Sequence, residues 1–161
     1  MNELDMYRMA VRRCICENDG MLFPNTCPEK TAIVLQEFIR AAQRRICIFC
    51  GHLARDVYEQ LLPDLEEAIA RKVLVRVICE PGELETQELA AILRDNGSLR
   101  QLDANPGIPH FAVFDTLRYR IERQQNSREA IVCAYAEGEE KRRTELIEGV
   151  HRKLWISARE A

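Results

Sequence analysis

No stretch of about 18 apolar residues occurs in the chain, so no membrane-spanning helix is expected. The N-terminal residues lack the apolar core of an export signal, because Glu3, Asp5, Arg8, Arg12 and Arg13 interrupt them. A cytoplasmic protein without membrane contact is the expectation. Basic excess is missing too: the net charge is −3. That disfavours a dedicated nucleic-acid binder, whose binding face is normally basic, although a local basic patch stays compatible with it. No internal repeat and no low-complexity linker divide the 161 residues, which points to one domain. Histidine is scarce, with only His52, His110 and His151.

What is present fits a soluble globular protein with a real core: 47% apolar and 30% charged residues. Seven cysteines, an odd number without an export signal, read as reduced thiols. Cys47 and Cys50 have C-x-x-C spacing, but the run from Ile46 to Cys50 is strand-like, so alternation sends the two thiols to opposite faces. They read as small apolar residues of a sheet core. Cys14 and Cys16 are the better candidate for a reactive or metal-binding pair, yet no second pair lies near them. No metal and no cofactor are expected.

Along the chain, residues 3–13 suggest a short helix with Met6, Met9, Ala10 and Arg13 on one face, a packing or dimerisation arm. Thr26, Cys27, Pro28 and Glu29 resemble a capping box opening a helix to about residue 43, with Val34, Leu35, Phe38, Ala41 and Ala42 inward. Residues 45–51 form a continuous apolar strand. A helical stretch over 53–71 should break near Pro63. A second strand covers 73–79, a helix 83–96 and a short strand 99–102. Residues 130–135 make another strand. The closing helix, 137–155, has Leu146, Ile147, Val150 and Leu154 on its apolar face, with His151 read as surface. Helices alternating with buried strands predict an α/β fold. Its mixed, mainly parallel central sheet carries an antiparallel hairpin, with helices on both faces.

That hairpin, residues 108–122, gathers the polar candidates. Phe111 to Phe114 form an apolar arm, and Asp115 and Thr116 supply the bend. In the second arm Leu117, Tyr119 and Ile121 alternate with Arg118, Arg120 and Glu122. His110 stands at the mouth of the buried arm. It is a candidate nucleophile or general acid, or a ligand- or partner-binding group, or a structurally satisfied histidine. Asp115 reads first as a turn residue. Arg118, Arg120 and Glu122 read either as a solvated strand face or as an anion-binding row beside His110. His52 follows the first strand at the carboxyl edge of the sheet, where ligands favour binding.

The order of these segments resembles a single phospholipase D-like domain. The resemblance spans residues 28–157, leaving 1–27 as an N-terminal arm. It rests on the alanine-containing helix leading into Arg45-Ile46-Cys47-Ile48-Phe49, and on the run from Leu65 to Ile78. His110 ahead of an apolar arm ending in Asp115 and the closing helix through Trp155 complete it. The family motif is His-x-Lys, four more residues, then Asp. Here Ala112 stands in the lysine position, the spacing from His110 to Asp115 is two residues short, and the Gly-Ser and Asn signature is absent; Asn126 falls in a turn. In this family histidine is the nucleophile and cations hold the charge developing on phosphorus, a task alanine cannot perform.

The resemblance therefore implies a catalytically degenerate module, a ligand- or protein-binding regulatory or sensory domain acting as a homodimer. Its partner would be a protein or a small anionic ligand. The alternative is a homodimeric, metal-independent phosphodiesterase or nuclease using His110, with Arg118 or Arg120 replacing the lysine.

Overall fold

The computed structural model describes residues 1–125 and 127–160. The chain order is α1 (Glu3–Cys16), β1 (Phe23–Asn25), α2 (Pro28–Ala41), β2 (Arg45–Cys50), α3 (Arg55–Tyr58), α4 (Leu62–Ala70), β3 (Leu74–Cys79) and α5 (Gln87–Asp95). There follow β4 (Leu99–Gln101), β5 (Phe111–Phe114), β6 (Arg118–Glu122), β7 (Ala130–Cys133), α6 (Glu139–Ser157) and β8 (Arg159–Glu160). The break expected near Pro63 is there, with a single 3₁₀ turn, Glu59–Leu61, leading into α4 and Pro63 in its first turn. The capping box is not: α2 starts at Pro28 behind Cys27, which makes no side-chain cap. Asn126 lies outside the described residues.

Among the described residues, eight strands join one sheet in the order β1-β7-β6-β5-β2-β3-β4-β8. Only β2 with β3 and β3 with β4 are parallel; the other five pairings are antiparallel. The expected mainly parallel sheet is thus corrected to a mixed, mostly antiparallel one. The physical reason is the connection into β5. It arrives by a loop from β4 instead of a helical crossover, and so lies antiparallel beside β2. β1 and β8, three and two residues long, are too short to show alternation and were invisible in the sequence.

One face of the sheet is covered by α2, α3, α4 and α5, whose Leu35, Phe38, Val57, Leu65, Leu89 and Leu93 pack with Ile46, Ile48, Val75, Val77 and Phe114. Helix α6 covers the other face, against Phe49, Ile78, Phe111, Val113 and Tyr119. Its inward residues are Thr144, Ile147, Glu148, His151 and Trp155. Leu146 is 70% exposed. His151 is buried, donates from Nε2 to the Ile48 carbonyl at 3.1 Å, and stacks on Trp155. Both placements correct the sequence reading. Burial pushes the His151 imidazole down to about 4, so it is neutral at ordinary pH. Helix α1 rests on α2, with Val11 in the core and Arg8 and Arg12 donating to the buried Glu37.

Candidate functional site

Register builds the site. His110 immediately precedes β5, Glu122 ends β6, and Glu80 immediately follows β3. Phe111 pairs with both Phe49 of β2 and Ile121 of β6, and Cys50 pairs with Cys79. His110, Glu122, Gly51 and Glu80 therefore sit level at the carboxyl edge of the parallel strands, where ligands of open α/β sheets bind. A cleft of about 250 Å³ opens there, lined among others by Thr31, Cys50, His52, Tyr58, His110 and Arg120.

His110 is gripped from two sides. Nε2 makes a very short hydrogen bond to Glu80 Oε1, and Nδ1 lies 3.5 Å from Glu122 Oε1. Glu80 is in turn held by Asn105, whose Nδ2 donates to Oε2 at 2.6 Å. The imidazole packs edge-on against Phe49. A Cβ on Gly51 would come within 3.3 Å of the ring, so glycine there allows the close approach. Burial alone would push the imidazole down; the bonds to Glu122 and then Glu80 overcome it and raise it to about 9. His110 is therefore an imidazolium at neutral pH.

Arg120 faces the same cleft but is fully engaged. Nε donates to Asn25 Oδ1 at 2.8 Å, Nη2 to Thr31 Oγ1 and the Arg128 carbonyl at 3.2 Å, and Nη1 to Glu122 Oε2 at 3.3 Å. Arg118, Arg120 and Glu122 do share one strand face, but it is a buried one beneath α2, not a solvated one. Arg118 lies at the opposite end of β6, paired with Phe114; among the described residues its Nε has no hydrogen-bond partner, and burial draws its guanidinium below the usual range. Asp115 also lies at that far end. Its carboxylate accepts the backbone N–H groups of Gln43, Arg44 and Arg45 at 2.8, 2.7 and 2.9 Å, tying the hairpin tip to the loop between α2 and β2. His52 lines the cleft with Nε2 committed to the Pro81 carbonyl at 2.7 Å. Gly82, at φ +124°, leaves room for that ring: a Cβ would stand 2.9 Å from His52 Nε2.

Of the sequence candidates, the fold thus gathers His110, Arg120, Glu122 and His52, and separates Asp115 and Arg118 from them. Glu80 was missed. Its signal was available: the residue directly after a buried parallel strand, before Pro81-Gly82, sits at the sheet edge that binds ligands. Cys14 and Cys16 are two apart on α1, so their side chains diverge. Among the described residues, no group of three His, Cys, Asp or Glu is placed to hold a metal ion, and no helix is long and apolar enough to cross a membrane.

No protein-family model matches the sequence, and no curated protein matches it. Solved structures do. Nuc from Salmonella typhimurium, a phospholipase D family member, superposes with a TM-score of 0.68 at 15% identity over 89% of this chain and 99% of its own. The fold is phospholipase D-like. TrmBL2, an archaeal chromatin protein described as showing a novel mode of DNA binding, superposes with a TM-score of 0.67 at 11% identity over 98% of this chain. The chain spans 62% of that protein. At these identities the likeness is one of fold.

Proposed function

We propose that this chain is a non-hydrolytic phospholipase D-like module, a regulatory binding domain whose cleft at His110 takes a small polar ligand. The observation that carries this reading is the double clamp on His110. A histidine nucleophile needs one unprotonated nitrogen aimed at phosphorus, with the reacting atoms about 3–3.5 Å apart. Here Glu80 occupies that approach to Nε2. With the imidazole raised to about 9, only about 1% is neutral at pH 7.

The missing cation adds to this. Ala112 is paired with Arg120 across the hairpin, and Arg120 is consumed by Asn25, Thr31, Arg128 and Glu122. The charges of the cluster at the cleft, His110 and Arg120 against Glu122 and the Glu80 that grips His110, cancel, as do Arg128 and Glu85 along its lining. A neutral ligand that both accepts and donates hydrogen bonds suits such a cleft better than a phosphodiester, whose charge would meet two carboxylates. The same cancellation disfavours nucleic acid in the cleft. Homodimerisation belongs to this reading as a proposal, motivated by the fold.

One observation favours the alternative, a homodimeric, metal-independent phosphodiesterase. Glu122 on Nδ1 is the kind of carboxylate that orients a catalytic imidazole. Hydrolysis of bis-p-nitrophenyl phosphate and of single- and double-stranded DNA, in chelator, separates the two. The expected result is no cleavage above that of His110→Ala. Cleavage abolished by His110→Ala would overturn the proposal and establish the alternative.

A further inference from the structure

Beneath the cleft floor two thiols face each other. Cys50 and Cys79 end neighbouring strands, are register partners, and place their sulfurs 3.7 Å apart on the same side of the sheet. Neither is in a disulfide. Cys47, the C-x-x-C neighbour of Cys50, is no competitor: it is buried on its own strand, and burial drives its thiol up to about 11.

We propose that Cys50 and Cys79 are a peroxide-sensitive dithiol that closes into a disulfide under the cleft. Strand spacing of about 4.8 Å lies inside the Cα separation that a disulfide accepts, roughly 4.4–6.8 Å. Bringing the sulfurs from 3.7 Å to about 2.0 Å needs side-chain rotation and a small strand adjustment. The two positions are also unequal in access. Cys50 lines the cleft, so a small oxidant reaches it, whereas Cys79 is fully buried behind it.

The surroundings prepare Cys50 as the attacking sulfur. The Cys79 thiol donates to it and lowers its proton affinity, burial opposes this, and the His110 imidazolium, the Leu53 amide and the Tyr58 hydroxyl add to the lowering. The same contact raises Cys79, keeping it a thiol until it is needed.

The reaction balances with a hydroperoxide as oxidant. The Cys50 thiolate attacks one oxygen of hydrogen peroxide; an S–O bond forms, the O–O bond breaks, and hydroxide leaves with the Cys50 proton as water. Cys79 sulfur then attacks the sulfenic sulfur; the S–S bond forms, the S–O bond breaks, and the departing hydroxide takes the Cys79 proton as a second water. Two thiols lose two electrons and one peroxide gains them.

The chemistry of the pair stands apart from whatever the cleft binds, but its effect reaches the cleft. Cys79 is joined directly to Glu80, the residue that grips His110. Closing the disulfide shifts Glu80 and loosens that grip.

The test uses the full native chain, treated with hydrogen peroxide, quenched with catalase, alkylated in denaturant and mapped by mass spectrometry without reduction. A peptide pair linked through Cys50 and Cys79, lighter by two hydrogens and restored by dithiothreitol, is expected. In Cys79→Ser, dimedone should trap a sulfenic acid on Cys50. Full alkylation of Cys50 and Cys79 while Cys14 or Cys16 oxidises overturns the proposal, as does a Cys50 disulfide to any other cysteine. If Cys79→Ser does not fold, the wild-type map decides alone. The His110 imidazole proton signal, read by NMR before and after oxidation, should shift and return on reduction. A mapped disulfide with an unmoved His110 signal refutes the coupling to the cleft.

Discussion

Replacing Asp115 should cost stability and leave the cleft intact, because its carboxylate is a structural clamp 70 or more residues from the amides it binds in the chain. In Asp115→Ala three backbone N–H groups lose their acceptor. Gln43 and Arg44 are exposed and Arg45 is partly so, so water replaces part of each bond, leaving a loss of about 1 kcal/mol for each of the three. Asp115 also sits at φ +58°, where alanine pays about 1 kcal/mol more than aspartate or asparagine. The expected total is about 4 kcal/mol, a large share of a small domain's stability. Asp115→Asn tolerates the left-handed backbone and keeps the oxygen that serves Arg44 and Arg45, so it should cost about 1–2 kcal/mol. Urea denaturation of the two variants beside the wild type measures this through the shift in midpoint at unchanged slope. A loss under 1 kcal/mol for alanine, or equal losses for both variants, would refute the clamp.

Two pH dependences follow from the histidines. His110 is raised from 6.5 to about 9 in the folded chain. Its contribution is complete below about pH 6.5 and is lost as pH rises through 9; the ceiling is near 3 kcal/mol, and about 2 kcal/mol after its partial exposure. The stability gap between wild type and His110→Gln should shrink by that amount from pH 6 to 9.5, and parallel curves would contradict it. His151 is depressed to about 4. The unfolded chain takes up its proton near pH 6.5 and the folded chain does not, so up to about 3 kcal/mol is lost as pH falls to 4. A His151→Gln chain should lose correspondingly less over that interval, as read by thermal unfolding.

Much of the architecture was legible because it rests on local periodicity. The alternation of residues 117–122, the apolar faces of α2 and α4 and the stop at Pro63 all reflect one residue's relation to its neighbours within four positions. Strand direction did not show, because β5 carries nothing in its own sequence that says which way β2 will run beside it. The row of Arg118, Arg120 and Glu122 shows the limit of polarity patterns. A solvated face and a buried face whose charges satisfy one another look alike in one dimension, and only the placement of α2 over β6 separates them. His151 was hidden by its neighbours Arg152 and Lys153, although its spacing from Ile147 and Trp155 marks the inward stripe of α6. Glu80 and the Cys50–Cys79 pair belong to parallel register, which a single strand does not record.

Most direct for the cleft is an NMR titration of the His110 ring with ¹⁵N-labelled imidazole in the native chain. Both nitrogens should carry protons at pH 7, with a midpoint near 9 that falls when Glu80 is replaced by Gln. A midpoint at or below 7, with a bare Nε2 at neutral pH, would contradict the non-hydrolytic reading and put a nucleophile back in the cleft.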